Sequence, residues 1–136
     1  MDLGSFSVAF KKYLWAWGVF SLVNSSDVFL ILKAKALGST LTEVILMYCF
    51  YNLFYAFLSP VLGGWSDRLQ KQGLSRKVIL QIGLILFAIV YVGFAVVQKP
   101  WQIWGLFALY GIYMAATDGV GKAYAIDLSA KDKKAT

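Results

Sequence analysis

Four predominantly apolar runs of at least 20 residues dominate this chain of 136 residues, at 13–32, 44–63, 78–97 and 101–126. As a helix, each reaches about 30 Å, the thickness of a bilayer's hydrocarbon core. The connections between them leave no room for a separate soluble domain. Only 15% of the residues are charged and 60% are hydrophobic, whereas a soluble domain carries about 25% charged and about 45–50% apolar residues. The expected fold is therefore an all-α membrane protein with four transmembrane helices, flanked by segments 1–12 and 127–136.

The residues that are missing narrow the chemistry. The chain has no His, which excludes a His-ligated metal site and a His general base or proton relay. Its one cysteine, Cys49, lies inside the second run, so neither a disulfide framework nor a Cys metal cluster is expected. Gly121-Lys122 lacks the earlier glycine and the following Ser or Thr of a phosphate loop and sits within a span. No nucleophile stands near a candidate base, so the chain reads as a non-enzyme with no cofactor and no metal. A net charge of +6 could suggest nucleic acid, but the basic residues fall between the apolar runs, where they read as a topology signal. Lys11 and Lys12 do not open a signal peptide, because the run after them is too long, contains Asp27 and lacks a small-residue cleavage site.

Leaving out Lys122 inside the fourth run, the other Lys and Arg residues are distributed nine to three. Lys11, Lys12, Arg68, Lys71, Arg76, Lys77, Lys131, Lys133 and Lys134 flank one side, and Lys33, Lys35 and Lys99 the other. This bias predicts a multi-pass protein with both termini cytoplasmic. Tyr13, Trp15, Trp17, Trp65, Trp101 and Trp104 cluster at span edges, where amphipathic rings favour the interface. Gly38 can end the first helix, and Thr40-Leu41-Thr42-Glu43 reads as a capping box for the second. Pro60 should kink the second span. Asp127-Leu128-Ser129 reads as a helix end followed by a new cap at Ser129.

Polar groups inside the spans carry the functional information. The ten Leu, Ile, Val and Phe residues of the first run favour insertion by about 3–6 kcal/mol in total. A central Asp27 costs about 2.5–3.5 kcal/mol, and Asn24 adds to that. Insertion is thus marginal unless Asp27 meets a partner or water, so Asn24 and Asp27 are candidates for a solute or ion pathway. A polar helix–helix contact is the plainer alternative. In the fourth run, Asp118 and Lys122 stand one turn apart and can pair on one face; they are further pathway candidates, with simple self-neutralisation as the alternative. Gly111, Ala115, Gly119 and Ala123 form a stripe of small residues that would let another helix approach closely. The third run has no charge and only Gln81 as a strongly polar side chain, so it should lie at the periphery.

Gly63-Gly64-Trp65-Ser66-Asp67-Arg68-Leu69 resembles the signature of the major facilitator superfamily, Gly-x-x-x-Asp-Arg-x-Gly-Arg-Arg/Lys, which follows the second helix of each half-transporter. Gly63, Asp67 and Arg68 match in place. Gln70, Lys71 and Gln72 are inserted before Gly73, and Leu74-Ser75 separates it from Arg76-Lys77. Asn24-Ser25-Ser26-Asp27-Val28-Phe29-Leu30 looks like the seventh helix of a bacterial branch of this family, and Thr117-Asp118-Gly119-Val120-Gly121-Lys122-Ala123, with the following Asp127-Leu128, looks like its tenth.

The resemblance covers essentially the whole chain, as helices seven to ten of a twelve-helix secondary transporter. It implies a half bundle in a bacterial inner membrane, with the first and fourth helices lining a cavity for a small solute and a coupling proton or sodium ion. It also implies a cytoplasmic gate in which Asp67 sits against a helix amino-terminus and Arg68 pairs with a nearby acid. Partners are then the lipid bilayer, the solute, and the missing helices or a second chain. Ser129 starting a cap that Thr136 cuts short leads to the expectation of a truncated gene product or partial sequence that does not transport alone. Two alternatives stay open: a small four-helix dimeric multidrug and proton antiporter, with Asp27 as coupling acid, and a non-transporting membrane subunit.

Overall fold

Two glycines decide where helices stop. The computed structural model describes residues 8–23 and 28–134, and among these the chain forms α1 (Val8–Val23), α2 (Val28–Ala36), α3 (Leu41–Lys71), α4 (Lys77–Val96) and α5 (Pro100–Lys134). Gly38 and Gly73 adopt φ of 90° and 80°, a left-handed conformation that side-chain-bearing residues resist. Both close the same motif. After α2, Gly38 N–H donates to Lys35 O and Ser39 N–H to Ala34 O; after α3, Gly73 N–H donates to Gln70 O and Leu74 N–H to Leu69 O. These bonds satisfy carbonyls that a bare helix end would leave orphaned.

At the start of α3, the expected capping box is present. Glu43 N–H donates to Thr40 Oγ1 at 3.2 Å, and Thr40 N–H donates to Glu43 Oε2 at 2.7 Å. The helix runs through Pro60 for 31 residues, about 46 Å at 1.5 Å per residue. It therefore outruns the hydrocarbon core and carries 63–69 on its last turns, where the sequence suggested a connection. Nothing breaks it before Gly73. The sequence also placed a helix end near Ile126 and a new cap at Ser129, and here the structure differs. α5 is continuous to Lys134, because Leu128, Ser129 and Ala130 follow Asp127 without Gly or Pro to interrupt the backbone ladder.

α3, α4 and α5 are long and apolar enough to cross a membrane. The expected span at 13–32 falls on α1, with 16 residues, on α2, with 9, and on residues outside the described ones. Alone, these two helices measure about 24 Å and about 14 Å, short of the hydrocarbon core.

α5 is the hub of the bundle. It packs along α3 and α4 and is touched by α1, while α2 contacts α3. Ile103, Phe107, Tyr110 and Tyr113 of α5 are buried with Met47 and Tyr51 of α3 and Val90 and Phe94 of α4. A second cluster joins Ala116 and Val120 of α5 to Ile79 and Leu80 of α4. Small residues set these approaches. A Cβ on Gly111 would lie 2.5 Å from Tyr51 O, and one on Gly83 would lie 2.5 Å from Thr117 Cγ2. α4 buries one side on α5 and exposes Ile82, Ile85, Ile89 and Val92 on the other.

Candidate functional site

Arg76, the last residue before α4, gathers three elements. Its Nη1 donates to Asp67 Oδ1 at 2.5 Å and to Ser66 Oγ at 3.4 Å, and its Nε donates to Asp127 Oδ2 at 2.7 Å. Ser66 is fully buried. The Arg76 side chain is 14% exposed, against 24% for Asp127 and 59% for Asp67. Burial works against the guanidinium charge, but the hydrogen bonds to Asp67 and Asp127 outweigh it and raise the pKa. The cluster is a charge-assisted clasp across the ends of α3, α4 and α5. A cavity of about 370 Å³ opens beside it, lined in part by Gln70, Ser75, Tyr124 and Asp127.

This clasp departs from the sequence expectation in one respect. Arg68 was expected to pair with an acid, yet it is exposed on α3, and among the described residues it forms no ion pair. The inserted Gln70-Lys71-Gln72 continues α3 by most of a turn. The chain then reverses at Gly73 and brings Arg76 back over Asp67. Gly63 lies on α3 with open space around it, Gly73 forms the turn, and Lys77 is the exposed first residue of α4. Asp127, read in sequence as a helix end and as part of the stretch that resembles the tenth helix, belongs to the clasp. A carboxylate closing an apolar run opposite a basic connection was the available signal.

A second polar group sits within the bundle. Lys122 Nζ lies 2.8 Å from Asp118 Oδ1, and Tyr55 of α3 donates its hydroxyl to Asp118 Oδ2 at 2.9 Å. Asp118 thus joins α3 to α5 while the Lys122 side chain stays 74% exposed. Tyr55 was missed because tyrosines are numerous in these runs and its hydroxyl is informative only once α3 and α5 are apposed. Asn24 and Asp27, the other pathway candidates, lie outside the described residues.

The stripe of small residues divides. Gly111 and Ala115 are buried against the bundle, Ala123 is half-buried, and Gly119 is exposed with nothing within 4 Å of an added Cβ. Gly121, beside the stripe, is the tighter contact: a Cβ there would lie 2.6 Å from Trp17 Cη2. Tyr13 Oη also donates to Gly121 O at 2.9 Å, so this one residue seats α1 on α5.

A family model described as Major Facilitator Superfamily matches residues 6–136. An uncharacterized MFS-type transporter of Methanocaldococcus jannaschii is 38% identical over 132 residues, covering 93% of this chain and 32% of that protein. The chain spans about a third of the length of this curated relative. No solved structure matches it at significant similarity.

Proposed function

This chain belongs to the major facilitator superfamily, and from that premise we propose that it forms part of a secondary transporter that moves a small solute across the membrane. In this reading the chain supplies four spans corresponding to helices seven to ten, the first being 13–32. The observation that carries the proposal is the group Tyr55–Asp118–Lys122. It holds an acid and an exposed cation on a helix otherwise apolar enough to cross a bilayer. Ionisable groups within membrane-spanning helices are costly and are candidates for solute or ion paths.

Asn24 and Asp27 belong to the same pathway in this proposal, with a proton or sodium ion as the coupling partner. The nine-to-three distribution of Lys and Arg puts the Arg76 clasp and both termini in the cytoplasm, where Asp67, Arg76 and Asp127 would hold a gate shut. A facilitator site lies between two halves that rock against each other, so helices beyond these complete the pathway. Membership of this family leaves the small four-helix antiporter without support.

Uptake into proteoliposomes tests the reading. The assembled transporter containing these helices should accumulate one member of a panel of organic cations, organic anions and sugars when a proton or sodium gradient is imposed. Asp118→Asn and Asp27→Asn should each abolish gradient-driven accumulation while leaving insertion intact. Full accumulation by both variants would remove these acids from the pathway.

A further inference from the structure

From a groove between α1 and α4, we infer that the chain binds an anionic phospholipid at the same end of the bundle as Arg76. The groove encloses about 360 Å³. It exists because α1 leans on α5 and barely meets α4, and because α1 presents the small Ala16 toward the gap. Its walls are apolar, with Phe20, Leu84 and the ring of Trp17 among them, and it runs from Ala9 to Phe20 along α1, about 16 Å.

Its mouth is different. Lys12 of α1 and Lys77 at the start of α4 both line it, and no carboxylate does. Among the described residues neither lysine forms an ion pair. Tyr13 and Trp17 stand beside them, the residue types that settle where lipid meets water. A phospholipid with a net negative headgroup answers both halves at once: its phosphate sits between two ammonium groups and its acyl chain fills the apolar walls. Inorganic phosphate would satisfy only the mouth. An apolar helix would fill the walls and leave two cations facing nothing.

Native mass spectrometry of the purified full chain in detergent, with equimolar phosphatidylglycerol and phosphatidylcholine of identical acyl chains, tests this. Phosphatidylglycerol adducts should be retained in preference. The double substitution Lys12→Gln, Lys77→Gln should weaken that retention roughly thirtyfold, and Lys33→Gln, Lys35→Gln, which removes the same charge at the opposite end of the bundle, should leave it unchanged. Ala16→Leu, which fills the groove and keeps both lysines, should also weaken it. Equal retention of the two lipids, or equal loss in the two lysine pairs, would overturn the inference. So would a lipid-free dimer that Ala16→Leu dissociates, which would give the groove to a second copy of the chain.

Discussion

Arg76 Nε donates to Asp127 Oδ2 at 2.7 Å, joining residues 51 positions apart and tying the entrance of α4 to the far end of α5. Asp127 is 24% exposed, so losing its partner would leave a carboxylate poorly reached by water. Asp67, at 59% exposure, can be hydrated without Arg76. The energetic weight of the clasp therefore lies on the Asp127 side.

Arg76→Gln should lower stability by about 2 kcal/mol, most of it from the bond to Asp127. Arg68→Gln removes an exposed charge with no ion pair among the described residues, and should change stability by less than about 0.5 kcal/mol. Thermal unfolding in detergent, followed by circular dichroism, compares the two. An equal loss in both would mean that Arg68 shares the clasp.

Asp118 and Lys122 should behave as a pair. The swap of Asp118→Lys with Lys122→Asp should recover more folding or uptake than the two single substitutions together imply. Recovery should be partial, since the reversed order opposes the helix dipole. The swap also removes the carboxylate that accepts from Tyr55, a second reason for incomplete recovery. Strict additivity of the single effects would separate the two residues.

Gly111 and Gly119 belong to one stripe but should respond in opposite ways. A methyl group on Gly111 would meet Tyr51 O at 2.5 Å and Phe54 Cβ at 2.9 Å, so Gly111→Ala should cost about 1–3 kcal/mol as α3 and α5 separate. Gly119→Ala meets open space and should be neutral or stabilising by up to about 1 kcal/mol through helix propensity. Unfolding midpoints of the two variants check this contrast.

The expected topology places Lys71 and Lys99 on opposite sides of the membrane. Cys49 is exposed and must first be replaced. Cysteines then introduced singly at Lys71 and Lys99, both exposed, should react with an impermeant thiol reagent from opposite faces, Lys71 from the cytoplasm. Equal labelling of Lys71 from both faces would point to dual insertion.

The features legible from sequence are those that depend on neighbours in the chain. Thr40 and Glu43 cap each other three residues apart, and Gly38 ends a helix by its own backbone freedom. Helix length was misjudged for a physical reason. Hydropathy marks where lipid stops, whereas a helix stops where its carbonyls find other donors, and α3 and α5 continue through polar residues past that boundary. Tyr55 escaped notice, and Asp127 was read without its partner, because their contacts lie 63 and 51 residues away. Arg76 stood inside the recognised motif, but its part depends on the reversal at Gly73, which brings a displaced residue back over Asp67.

The close seat of Gly111 against Tyr51 gives α5 a fulcrum. The helix is held firmly there and again at Asp127, 16 residues further on, a lever arm of about 24 Å. While both points hold, α5 cannot swing against α3. Once Arg76 releases Asp127, the next tie back to α3 is the bond from Tyr55 to Asp118, which leaves a shorter arm of about 14 Å, and a tilt of about 5° there would carry Asp127 through about 1 Å. A sweep of that size would stretch a hydrogen bond of 2.7 Å past its working length, so the reach of the clasp depends on how closely Gly111 and Asp118 hold α5 to α3.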